Sequence, residues 1–231
     1  MTTTLITGGN KGLGLETARR LIELGHTVYL GARDAERGAA AAEAIGAMFV
    51  QLDVTDDTSV RAAAASILEE AGQLDVLVNN AGIVGSHAEP NDVTADVVRD
   101  VYDVNVFGVV RVTHAMLPLL QKSDSPVVVN VSSGLGSFSR ITDPAHLEST
   151  FATIAYGSSK AAVTAITVQY SKALPGIKFN AADPGYTATD LNGNNGTQTV
   201  TEGTDAIVQL ATIGSDGPTG TFVERAGVMP W

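Results

Sequence analysis

Short apolar runs with almost no polar alternation recur along the chain, separated by longer stretches in which Ala and Leu return at helical spacing. The runs Thr3–Ile6, Thr27–Ala32, Met48–Leu52, Val76–Asn79, Val127–Val131, Lys178–Ala182 and Thr221–Val223 are predicted as strands. Their nearly continuous apolar character suits parallel strands covered on both faces, since a half-exposed strand alternates with a period of two. Leu13–Leu24, Ala35–Ala44, Thr58–Ala71, Ala95–Leu120, Ala155–Ala173 and Thr204–Thr212 are predicted as helices, the third introduced by Thr55 and Asp56 in N-cap fashion. Six strand–helix alternations predict an α/β fold, a doubly wound parallel sheet with helices on both faces and right-handed crossovers. No linker or break in composition divides the chain, so residues 1–231 read as a single domain.

Composition removes several function classes. The chain has no cysteine, which excludes a disulfide framework, thiolate metal sites and a cysteine nucleophile. Lys and Arg total 14 against 25 Asp and Glu, a formal net charge of -11. Such a field repels phosphate and argues against nucleic-acid or anionic-membrane partners. No apolar run approaches the roughly 20 residues of a membrane span, and a strand-like run begins almost at the first residue. A cytoplasmic, soluble protein acting on a small molecule is the expectation. His26, His87, His114 and His146 show no metal-ligand spacing.

In a doubly wound sheet, ligands bind outside the carboxyl ends of the strands, so the residues just after each strand carry the candidate chemistry. The first strand opens through Thr7-Gly8-Gly9-Asn10-Lys11-Gly12-Leu13-Gly14 directly into a helix. Glycines at 8, 12 and 14 permit a tight turn, approach of a pyrophosphate to the backbone and close helix–strand packing. An ordinary tight turn accounts for the glycines alone. The strand before and the helix after favour a dinucleotide in a Rossmann-type arrangement, held by Gly8, Asn10, Lys11, Gly12, Leu13 and Gly14.

The tip of the second strand decides the cofactor. A carboxylate there would accept from a ribose 2′-hydroxyl; this chain instead has Ala32 and Arg33, with Lys11 in the adjoining loop. Two cations at that position favour a 2′-phosphate, hence NADP(H) over NAD(H). Asp34 either caps the next helix or faces the ribose. After the third strand, Asp53 and Val54 are candidates for the adenine, although Asp53 serves equally well in the turn before the next helix. Asn80, Ala81 and Gly82 follow the fourth strand, where small residues let a ribose or nicotinamide lie against the backbone.

The most informative stretch is Tyr156-Gly157-Ser158-Ser159-Lys160, at the start of a helix. Positions i and i+4 share one helix face, so the Lys160 ammonium can sit near the Tyr156 phenol and favour its ionised form. The preceding strand ends Asn130-Val131-Ser132-Ser133-Gly134, which brings serine hydroxyls to the mouth of the same crevice. Adjacent strand residues point oppositely, so one of Ser132 and Ser133 faces it, and Ser133 is the one favoured.

Together the Gly8/Gly12/Gly14 loop, Asn79-Asn80-Ala81-Gly82, Asn105, Ser133, Tyr156/Lys160 and Pro184-Gly185 resemble the short-chain dehydrogenase/reductase family over essentially the whole chain. Gly8–Gly14 and Ala32-Arg33-Asp34 look most like its NADPH-dependent carbonyl reductases. The resemblance implies an active-site tetrad at Asn105, Ser133, Tyr156 and Lys160. Tyr156 would protonate a carbonyl oxygen as hydride arrives, Ser133 would hydrogen-bond that oxygen, Lys160 would hold the nicotinamide ribose, and Asn105 would bind a relay water. Pro184, Gly185, Thr187 and Thr189 resemble the loop that meets the carboxamide and the pyrophosphate. An NADP-binding regulatory protein on the same fold, without turnover, is the alternative, although such a protein would be expected to lack the tyrosine or the lysine.

Ser133 and Tyr156 are 23 positions apart, more than common members of the family need. The excess around Phe138–Ile154 resembles the longer segment of carbonyl reductases, and implies a pocket wall and a monomer in preference to a dimer or tetramer. Asp190–Gly203, rich in Gly, Asn and Thr, suits a mobile lid or a plain surface loop. Trp231 either packs on the body or borders the pocket.

Overall fold

A computed structural model describes residues 2–85 and 89–231; His87 lies outside the described residues. Eight strands form one sheet: β1 (Thr3–Thr7), β2 (Thr27–Ala32), β3 (Met48–Gln51), β4 (Val76–Asn79), β5 (Val127–Val131), β6 (Lys178–Ala182), β7 (Phe222–Glu224) and β8 (Gly227–Val228). Their order is β3-β2-β1-β4-β5-β6-β7-β8. The expected parallel sheet is present from β3 to β7, with one correction: β8 runs antiparallel to β7. Two residues are too few to carry a periodicity, so this hairpin left no signal in the sequence. The order turns back between β1 and β4, where parting crossovers open the crevice.

The major helices are α1 (Gly12–Glu23), α2 (Ala35–Ile45), α3 (Asp57–Ala71), α4 (Ala95–Tyr102), α5 (Gly108–Leu120), α6 (Phe138–Ile141), α7 (Ile154–Ala173), α8 (Val200–Gly203) and α9 (Asp205–Ala211). One apolar layer unites Ile6, Val78 and Val129 with Leu21 of α1 and Ile207 and Leu210 of α9. The other unites Leu5, Leu77 and Val128 with Ile67 of α3 and Met116 of α5. Alternate residues of each central strand thus feed opposite cores, which is why these strands are mostly apolar.

The single helix expected over Ala95–Leu120 is interrupted: Asp103–Phe107 forms a π turn between α4 and α5. Such a wide turn rotates side chains off the helical register and is frequent at functional sites. Here it turns Asn105 inward, at 1% exposure. The third helix begins as expected, with Asp56 as its cap accepting from Thr58 N at 2.9 Å. Asp34 likewise caps α2, accepting from Arg37 N at 3.0 Å.

A buried polar chain crosses the sheet beneath the crevice. Asn79 Nδ2 donates to Thr113 Oγ1 at 3.1 Å and to Asn130 Oδ1 at 2.8 Å, and Asn130 Nδ2 donates to Thr167 Oγ1 at 2.9 Å. It joins β4, β5, α5 and α7.

The segment between β5 and α7 folds into short helical turns, including α6. Trp231 anchors it: the indole stacks on Phe222 at 5.6 Å, and its carbonyl accepts from Ser139 N at 3.1 Å and Ser139 Oγ at 2.9 Å. Trp231 therefore packs on the body, the first of the two expectations.

Candidate active site

The loop after β1 adopts the conformations its glycines allow. Gly8 and Gly12 have φ of 64° and 54°, in the region that favours glycine. A Cβ on Gly14 would meet Gly8 O and Asn80 Nδ2 at 2.5 Å, so the start of α1 lies too close to the loop for any side chain. Asn80 locks this arrangement from β4: its Nδ2 donates to Thr7 O at 2.9 Å and Gly8 O at 3.1 Å. The amides of Asn80 and Ala81 both donate to Thr7 Oγ1 at 3.0 Å. Among the described residues no side chain caps α1, and its first turn holds no acid, so its positive end stays uncompensated. That cradle fits a pyrophosphate.

Around the loop the expected partners divide. Arg33 is exposed, and its guanidinium has no hydrogen-bond or ion-pair partner among the described residues. Lys11 is instead paired with Asp190 at 3.1 Å, both side chains 66% exposed. The Asp53 carboxylate accepts from Thr55 N at 2.9 Å and Thr55 Oγ1 at 2.7 Å, so it serves the turn before α3. Val54 is 8% exposed and belongs to the core beside α3 and α5. Asn10 and Leu13 are half-buried in the loop and first turn.

The other end of the crevice gathers the four residues expected to form the tetrad. Ser132 is buried and donates to Lys160 O at 3.1 Å, while the Ser133 hydroxyl lies beside the Tyr156 phenol and favours its ionised form. Of the two serines, 133 is the one that meets the tyrosine. Lys160 Nζ lies 5.6 Å from the centre of the Tyr156 ring and donates to Val131 O at 2.8 Å. Asn105 Nδ2 donates to Ser159 Oγ at 3.0 Å, and a Cβ on Gly82 would stand 3.3 Å from Asn105 Oδ1 and 3.6 Å from Lys160 Nζ. Gly82, Asn105 and Lys160 thus converge.

Burial governs the electrostatics. Removal from water pushes the Tyr156 phenol up to about 12; the Ser133 hydroxyl opposes this and the charge of Asp183 adds to it. Burial brings Lys160 down to about 8, with Asp183 working in the opposite direction. Asp183, at 3% exposure, is itself pushed up to about 6 by burial, against the opposing effect of the Gly185 and Gly134 amides. Sequence reasoning passed over this residue. Its signal was an acid directly after a largely buried strand, immediately before Pro184-Gly185.

Pro184 to Thr189 runs back toward the glycine loop. The Thr187 main chain, expected at the carboxamide, is engaged within the segment: its amide donates to Gly185 O at 2.9 Å and its carbonyl accepts from Asn192 Nδ2 at 3.0 Å. A Cβ on Gly12 would lie 3.8 Å from the Thr189 methyl, which puts Thr189 beside the phosphate cradle. The segment expected as a lid or loop contains a helical turn over Asp190–Asn192 and α8, each opened by a threonine capping box.

Similarity to known proteins agrees with this geometry. The family model for short chain dehydrogenase matches residues 2–199. The (+)-neomenthol dehydrogenase of Capsicum annuum is 30% identical over 302 aligned positions, covering 97% of this chain and 96% of that protein. The salutaridine reductase of Papaver bracteatum is 30% identical, covering 95% and 93%. Among solved structures, an NADPH-bound carbonyl reductase from chicken fatty liver superposes with a TM-score of 0.88 at 29% identity, covering 100% of this chain and 99% of that one. Fold, site geometry and relatives together make this chain a member of the short-chain dehydrogenase/reductase family of oxidoreductases.

Proposed function

We propose that this protein is an NADPH-dependent reductase that converts a carbonyl to an alcohol, with Tyr156 as the proton donor. The observation that carries the proposal is the meeting of the Tyr156 phenol, the Ser133 hydroxyl and the Lys160 ammonium at the carboxyl ends of the central strands. When bound, the nicotinamide supplies the hydride that reaches the carbonyl carbon. Tyr156 releases its phenolic proton to the carbonyl oxygen as negative charge develops there. Ser133 donates a preorganised hydrogen bond to the same oxygen. Lys160 holds the nicotinamide ribose hydroxyls and offsets the phenolate left behind. Asn105 holds a water that returns a proton toward Lys160.

The residues that would hold the cofactor are Gly8, Asn10, Lys11, Gly12, Leu13 and Gly14 around the phosphates and Arg33 at the 2′-phosphate. Asn80, Ala81 and Gly82 would hold the nicotinamide half, together with Pro184, Gly185, Thr187 and Thr189. Asp53 and Val54 would border the adenine through the turn they form. The unpartnered guanidinium of Arg33 supports NADPH over NADH.

The test is NADPH oxidation across a panel of ketones, aldehydes and quinones, with Tyr156→Phe alongside. Turnover should fall by about 100-fold or more in the variant while NADPH affinity stays nearly unchanged. Full turnover in Tyr156→Phe would overturn the assigned role.

A further inference from the structure

Asp183 is a buried carboxyl that the proposed reaction does not use, and it stands where the turns after two strands meet. Its Oδ1 accepts from Gly185 N at 2.9 Å, in the turn after β6. The Gly134 amide, next to Ser133 in the turn after β5, is close enough to the same carboxyl to favour its charged form. Gly185 sits at φ 66°, so its amide is aimed by a backbone conformation that other residues rarely adopt. We propose that Asp183 is a positioning residue: its carboxylate clamps the Ser133 turn to the Pro184-Gly185 turn and sets a negative charge facing the Tyr156–Lys160 pair.

The clamp has a chemical consequence, which rests on the reductase reading. A negative charge beside a phenol opposes loss of its proton, so Asp183 keeps Tyr156 in the donor form that carbonyl reduction requires. The same charge favours the ammonium form of Lys160. Alcohol oxidation, which begins from the phenolate, is correspondingly disfavoured. Two further acids act on the carboxyl. Glu148 and Glu224 approach from the segment before α7 and from β7, and both oppose its ionisation. Arg140 of α6 pairs with Glu224 and so offsets one of those charges.

Two measurements test the clamp. In the wild-type protein, the amide resonances of Gly134 and Gly185 should move together through one titration as pH is changed from 4 to 8. Separate or absent titrations would overturn the proposal, whether or not the protein reduces any carbonyl. In Asp183→Asn the two amides should lose that titration. The alkaline fall in carbonyl reduction and the alkaline rise in alcohol oxidation should both shift to lower pH by about one unit. A variant slower at every pH, with both limbs in place, would show a merely structural role and overturn the charge effect. Full turnover in Tyr156→Phe would sink the reductase reading alone, leaving the amide titration to judge the clamp.

Discussion

Asn105 and Ile83 exchange two hydrogen bonds: Ile83 N donates to Asn105 Oδ1 at 2.8 Å, and Asn105 Nδ2 donates to Ile83 O at 2.9 Å. The side-chain amide imitates a strand partner and ties the loop after β4 to the π turn. With its third bond, to Ser159 Oγ, it also reaches the first turns of α7, between Tyr156 and Lys160. Asn105→Ala would leave the Ile83 amide and carbonyl without these partners. A loss of about 1–3 kcal/mol in stability is expected, read from the urea midpoint, together with a fall in kcat. An unchanged midpoint would mean that water replaces the asparagine fully.

Arg33 is the one residue of the adenosine end whose charge the protein leaves unpaired among the described residues. A charge-assisted bond to a 2′-phosphate is worth about 1.5–3 kcal/mol. Arg33→Ala should therefore weaken NADPH about 10- to 100-fold in a fluorescence titration and leave NADH almost unaltered. Equal weakening of both would mean that Arg33 does not read the phosphate.

Lys11 has a competitor in Asp190, and the pair is well exposed. Exposed pairs contribute at most about 1 kcal/mol, so a phosphate can displace the carboxylate at small cost. Removing that competitor in Asp190→Asn should tighten NADPH up to about fivefold, with a steeper dependence on salt. Weaker binding in the variant would show that Asp190 instead helps to shape the site.

Asp183 also leaves a signature in stability. Burial raises its carboxyl from 3.8 in the unfolded chain to about 6 in the fold, so the folded state binds the extra proton between those values. The cost of holding the ionised carboxylate is therefore present above pH 6 and relieved as pH falls toward 4. Two units correspond to roughly 3 kcal/mol. Urea denaturation at pH 7 and pH 4 should show wild type gaining on Asp183→Asn by that order as pH drops. A constant difference would mean that Asp183 titrates as an ordinary surface acid.

The sequence made the periodic parts of this molecule legible. The first six strands lie within a residue of their apolar runs, because burial, on both faces in the central strands, writes itself into composition. Glycines 8, 12 and 14 were legible for a related reason: positive φ and missing space leave few alternatives. Contacts closed by the fold were not. Nothing local to Lys11 announces Asp190, 179 positions away. The π turn at Asp103–Phe107 lies inside a pattern that continues helically on both sides, and Asp183 could be valued only once its neighbours were known.

The polar chain from Asn79 through Asn130 to Thr167 acts as a ruler for the helix that carries Tyr156 and Lys160. Apolar packing alone tolerates small slips between a helix and a sheet, since one methyl contact replaces another. A carboxamide at 0% exposure does not, because any displacement of α7 along β5 separates Asn130 from Thr167 in a region without water. The alignment of phenol and ammonium with the strand ends is thus indexed from the dry interior, and substrate loops can vary without disturbing it.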